Sequence, residues 1–142
     1  MKILLAQTDT TVGFLSQSAE QLREAKGREE SKPFLKVFSS LQSLKTQVRV
    51  PNAHKRRVRY AKLTTFIVKD QAFRYVSDPE HARLVERYGW LYSTSANESG
   101  SGYDPEFCRE RADWIVEDSR GLCERASSKI YRLGLHRLKR LR

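Results

Sequence analysis

The sequence has little sulfur and little apolar continuity. Only two cysteines, Cys108 and Cys123, occur in 142 residues. Without C-x-x-C spacing or a secretory context they argue against a disulfide framework or a zinc site, and both are expected to be reduced and structural. The apolar run Ile3-Leu4-Leu5-Ala6 is too short for a signal peptide's apolar region and far too short to span a bilayer. A soluble, cytoplasmic protein with no membrane contact is expected, and the Asn97-Glu98-Ser99 glycosylation sequon is then incidental. His81 stands beside no other His or Cys, so it reads as a helix-face residue rather than a metal ligand.

Acidic residues are missing from two stretches that are rich in cations. Positions 45–62 hold seven basic residues and no acid, and positions 125–142 hold seven more, again without an acid. These fourteen of the 27 Lys and Arg leave 13 basic residues against 17 acidic ones elsewhere, so the net charge of +10 is local. A local basic surface is what a polyanion would meet, and tRNA or another RNA is the candidate partner for both stretches. Solvated faces and a basic tail account for the same pattern.

What is present is a globular balance, 39% hydrophobic and 31% charged, in a length that suits a single domain over 1–142. Residues 2–7 read as a buried strand followed by a Thr-rich turn closed by Gly13. Ser18 and Gln21 have capping-box spacing for a helix through Lys26, which Gly27 ends. Strands are predicted over 34–38, 63–69, 72–76, 90–93, 113–117 and 129–135. A hairpin turn is expected at Asp70 and Gln71. A short helix is predicted from Ser39 and Ser40 through Leu44, and a very basic surface helix over 51–60. Asp78-Pro79-Glu80 and Asp104-Pro105-Glu106 are two helix starts with an Asp cap and Pro in the first turn. Strands separated by short helices predict a three-layer α/β domain around a twisted mixed β-sheet, since the hairpin excludes an all-parallel one.

Three features carry possible chemistry. Ser93-Thr94-Ser95-Ala96-Asn97-Glu98-Ser99-Gly100 can offer several hydroxyls and backbone N–H groups to a phosphate or carboxylate, or can be an ordinary polar loop. Lys26, Arg28 and Lys32 bracket a helix end, either as a triphosphate clamp or as solvated charges. Arg74 lies inside an apolar strand and needs an anionic ligand or a structural ion pair if its face is covered.

Taken in order, several segments resemble the YrdC-like threonylcarbamoyl-AMP synthase family. Gln7-Thr8-Asp9-Thr10-Thr11-Val12-Gly13-Phe14 resembles P-T-[DE]-T-V-Y-G-L, and Lys26-Gly27-Arg28-Glu29-Glu30-Ser31-Lys32-Pro33-Phe34 resembles K-x-R-P-x-x-[KN]-P-L. Leu63-Thr64 resembles the start of an L-T strand, and Phe73-Arg74-Tyr75-Val76 stands where the family has V-R-x-P. Ser93 to Gly100 resembles T-S-A-N-x-S-G, the most specific match, and Ser128-Lys129-Ile130 resembles a later S-[TE]-[IV]. Gln7, Val12, Glu29 and Tyr60-Ala61-Lys62 depart from the pattern.

The resemblance implies a YrdC-like fold and a nucleotidyltransferase. It would make threonylcarbamoyl-adenylate and pyrophosphate from L-threonine, bicarbonate and ATP, with Mg²⁺ arriving on ATP, for threonylcarbamoyladenosine in tRNA. It implies Lys26, Arg28 and Arg74 as catalytic groups. Lys32, Ser95, Asn97 and Arg140 would be on the nucleotide, and Thr10, Arg74, Ser93 and Ser128 on threonine. A non-catalytic RNA-binding protein of the same fold is the alternative.

Overall fold

Two apolar runs at the start of the chain, Leu4–Gln7 and Val12–Ser16, form strands β1 and β2, and every residue in both is buried. The computed structural model describes residues 2–27 and 33–142. Along the chain follow helix α1 (Ala19–Lys26), β3 (Leu35–Phe38), α2 (Leu41–Gln47), a 3-10 turn at Asn52–His54 and α3 (Lys55–Tyr60). Then come β4 (Thr64–Val68), β5 (Gln71–Tyr75), α4 (Pro79–Glu86), β6 (Trp90–Ser95), α5 (Pro105–Arg111), β7 (Trp114–Val116), β8 (Lys129–Leu133) and β9 (Leu138–Arg140). The fold is mixed α/β, as the sequence predicts.

The chain packs as two units, Met1–Phe34 with Leu91–Ala126 and Leu35–Trp90 with Ser127–Arg142. In the first unit β1 pairs antiparallel with β2 and parallel with β7, and β2 pairs antiparallel with β6. Its core gathers Leu5, Phe14, Leu22 and Phe34 with the buried Cys108. Burying side chains of this size contributes about 1.5–3 kcal/mol each. In the second unit β5 pairs parallel with β3 and antiparallel with β4, β4 pairs parallel with β8, and β8 pairs antiparallel with β9. Phe38, Phe66, Phe73 and Leu133 lie in its core.

The caps form as their chemistry dictates. Ser18 accepts from the Gln21 N–H, Asp78 from the His81 N–H, and Asp104 from the Glu106 and Phe107 N–H groups. Other expectations are corrected. The hairpin turns one residue early, at Lys69 and Asp70, because Val68 pairs with Gln71 and Lys69 takes φ 55°. The basic helix predicted over 51–60 splits into the 3-10 turn and the six-residue α3, with His54 and Val58 buried. The helix after Ser40 runs three residues further, to Gln47. The strand predicted through Leu135 ends at Leu133, and the unpredicted β9 returns along it.

Candidate functional site

The hydroxyl run is positioned by β6 and by the end of α1, both in the first unit. Helix α1 stops where Gly27 adopts φ 61° and its N–H bonds the Arg23 and Glu24 carbonyls. That stop places Lys26, only 4% exposed, against the loop after β6. Its ammonium donates to the Ser95 carbonyl at 2.9 Å, to Ser95 Oγ at 3.4 Å and to Asn97 Oδ1. Ser95 Oγ donates to Asn97 Oδ1 at 3.1 Å, and Asn97 Nδ2 donates to the Ser101 carbonyl at 2.6 Å. The Ser99 N–H returns to the Lys26 carbonyl at 2.9 Å. Ser95 and Asn97 thus orient the buried Lys26 ammonium. Ser93 lies two residues before Ser95 on β6, on the same strand face, and is buried.

Thr10 lies in the turn between β1 and β2. Thr8 Oγ1 donates to the Thr11 carbonyl at 2.5 Å, accepts from the Thr10 N–H at 3.1 Å and stands 3.3 Å from Thr10 Oγ1. Gly13 permits this packing, because a Cβ there would meet Thr8 Cγ2 at 2.9 Å and the Thr94 carbonyl at 3.0 Å. A second loop braces the turn. Arg120 donates to the Gln7 carbonyl at 3.2 Å, to the Thr8 carbonyl at 3.3 Å and to both carboxylate oxygens of Asp118. The Cys123 N–H donates to Gln7 Oε1 at 2.9 Å, and the Arg125 N–H to Thr11 Oγ1 at 3.0 Å. The Arg120 bonds hold the Asp118 carboxyl below its ordinary value, against a smaller opposing effect of burial.

The second unit assembles a separate cluster on β4, β5 and the start of β8. Arg74, 3% exposed, donates to Thr65 Oγ1 at 3.1 Å. Thr65 Oγ1 and Ser128 Oγ are 2.8 Å apart. Arg142 donates through Nε to the Ser128 carbonyl at 2.8 Å and through Nη2 to Ser128 Oγ at 3.3 Å. Two guanidinium groups therefore flank two hydroxyls, a donor set that suits a carboxylate.

The structure joins Lys26, Ser95 and Asn97 directly, and joins Arg74 to Ser128 through Thr65. It does not bring Arg140 to that cluster: Arg140 lies on β9, 6.0 Å from the Tyr131 ring centroid and exposed. Arg28 and Lys32 fall outside the described residues. Sequence reasoning missed Thr65, Arg142 and Arg120. The Thr64-Thr65 pair offered a signal for the first, since alternation along the strand sends only one of the two side chains to the face that carries Arg74. Nothing local distinguished Arg142 from Arg140.

Among the described residues no group of three His, Cys, Asp or Glu side chains could hold a metal ion, and no helix is long and apolar enough to cross a membrane. Both cysteines are free thiols, and burial pushes the Cys108 thiol up.

A family model named for Sua5, YciO and YrdC and described as "Telomere recombination" matches residues 2–139. The chain belongs to the Sua5/YciO/YrdC family. The structure of P. abyssi Sua5 complexed with L-threonine superposes with a TM-score of 0.83 at 17% identity, over 99% of this chain and 50% of that one. E. coli YciO superposes at 0.78 and 19% identity, over 99% of this chain and 82% of its own. A Mycoplasma pneumoniae protein described as an uncharacterized MG259 homolog is 29% identical over 97 residues, 65% of this chain. This Sua5/YciO/YrdC chain spans 20% of that relative's length and half of P. abyssi Sua5. The YrdC-like family and fold expected from the motifs are thereby borne out.

Proposed function

We propose that the chain is a threonylcarbamoyl-AMP synthase, forming threonylcarbamoyl-adenylate and pyrophosphate from L-threonine, bicarbonate and ATP for tRNA modification. The observation that carries this reading is the buried Lys26 ammonium, held by Ser95 and Asn97 of the motif most specific to the family. The L-threonine in the Sua5 structure supports threonine as the amino acid.

The chemical problem is the meeting of two anions. The threonine amine and bicarbonate give a carbamate and water. A carbamate oxygen then bonds to the α-phosphorus of ATP as the bond to the β-phosphate bridge breaks, and pyrophosphate leaves with that electron pair. Side chains that screen charge without acting as nucleophiles are needed, which is the character of Lys, Arg, Ser, Thr and Asn here. In this reading Lys26, Ser95 and Asn97 hold the nucleotide, with Arg28 and Lys32 along the triphosphate. Arg74, Thr65 and Ser128 take the threonine carboxylate, with Thr10 and Ser93 completing the amino-acid contacts. Arg142, tied to Ser128, joins these threonine contacts rather than the nucleotide role that the resemblance gave to Arg140. Mg²⁺ enters bound to the triphosphate, as is usual for that ion. Arg74→Ala is expected to lower threonine-dependent turnover about a hundredfold while ATP affinity changes little. Steady-state kinetics beside nucleotide titration checks this, and unaltered turnover would contradict the assignment.

A second reading, RNA contact without adenylate synthesis, rests on the exposed cations of β8 and β9, among them Arg132, Lys139 and Arg140. RNA affinity that falls steeply with salt would support it.

A further inference from the structure

The sequence stretch that lacks acids over 45–62 does not fold into a plain basic face. It walls an open groove of about 1280 Å³ within the second unit, formed by α2, the 3-10 turn, α3 and the turns after β4 and β8. Neither Arg74 nor Ser128 lines it. Its floor reaches the core itself, through Leu44, Val48, Val58 and Leu133. Its wall carries six exposed cations, Lys45, Arg49, Lys55, Arg56, Arg59 and Lys69, and no carboxylate among the described residues. Tyr60 and Leu135 add apolar surface at 68% and 72% exposure.

We propose that this groove docks an acidic amphipathic helix of a partner protein, its apolar stripe on the aliphatic floor and its carboxylates on the cationic wall. The volume exceeds the about 300–1,000 Å³ typical of small-ligand pockets, so a chain segment fits it better than a metabolite. RNA is disfavoured by the floor. Single strands bind by stacking bases on aromatic rings, and Tyr60 is the only aromatic lining residue, with the Arg56 guanidinium 5.9 Å from its ring centroid. Leu and Val instead accept the i, i+3, i+4 and i+7 anchors of a helix.

The electrostatics of α3 point the same way. Lys55 and Arg59 are like charges four residues apart on one face. That arrangement costs stability in the isolated chain, and carboxylates from a bound helix would offset it. The inference does not depend on the synthase reading, because no residue of the groove has a role in it.

The test is fluorescence anisotropy with a labelled probe peptide of about 18 residues, Leu at the stripe positions and Glu on both flanks, long enough for five turns. Saturable binding at physiological ionic strength is expected. It should weaken about tenfold or more for the scrambled peptide and for the Lys55→Glu/Arg59→Glu protein, and also for Tyr60→Ser. The control Lys139→Glu/Arg140→Glu should bind as the unaltered protein does, and thermal melts establish that every variant is folded. Absence of saturable binding would overturn the proposal. So would equal binding of the scrambled peptide, indifference to the α3 charge reversal, or a uridine oligonucleotide that binds more tightly through the same cations.

Discussion

Lys26, Arg142 and His54 show how differently three basic side chains can be used. Lys26 is buried and donates to three oxygens of Ser95 and Asn97, for which a phosphate could exchange. Arg142 is tied to Ser128 while Arg140, two residues away on the strand that ends there, covers Tyr131. Arg142→Ala is therefore expected to lower kcat/KM for threonine about tenfold or more, the size of a lost hydrogen bond from a charged donor. Arg140→Ala should stay within about twofold, as surface substitutions do. The reverse order of effects would refute the placement of Arg142. His54 is buried, and neither ring nitrogen has a hydrogen-bond partner among the described residues. His54→Leu removes two orphaned polar atoms at similar volume and is expected to raise unfolding free energy by about 1 kcal/mol. Urea denaturation would record this as a higher midpoint at unchanged slope.

At the scale of elements, the Thr8 to Thr11 turn owes its shape to a loop more than a hundred residues away. Asp118 fixes the Arg120 guanidinium, which in turn holds the Gln7 and Thr8 carbonyls. A carboxyl held below its ordinary 3.8 stabilises the fold fully above that pH, and the contribution disappears as pH falls through the lowered folded value. Asp118→Asn should therefore be less stable than the unaltered protein at neutral pH, with the gap closing as pH falls below about 4. Equilibrium denaturation at several pH values reads that gap, and a gap independent of pH would show that the pair contributes nothing through ionisation. The helix starts at Ser18, Asp78 and Asp104 were legible because capping is local chemistry within three residues. The brace was not, because Arg120 acts on backbone carbonyls far away in sequence. Strand β9 was equally hidden, since Leu-Lys-Arg has no alternating pattern and forms only against β8. The hairpin shifted because Lys69 accepts a positive φ that its propensity does not favour.

For the molecule as a whole, the cations fall into two settings. The acid-free stretch 45–62 folds around an apolar groove, whereas the cations of β8 and β9 stay on open surface. Composition alone could not distinguish these, because a groove is a property of how α2, α3 and the two turns pack. The candidate site was legible to a greater degree, as Ser95, Asn97 and Lys26 came from motif order and meet directly in the structure. The central claim is that this meeting serves adenylate formation. Its most direct test is pyrophosphate release from ATP and bicarbonate, with and without L-threonine, beside the Lys26→Ala protein. The account predicts threonine-dependent release that falls about a hundredfold or more in Lys26→Ala. Nucleotide binding by the unaltered protein with no threonine-dependent release would contradict it.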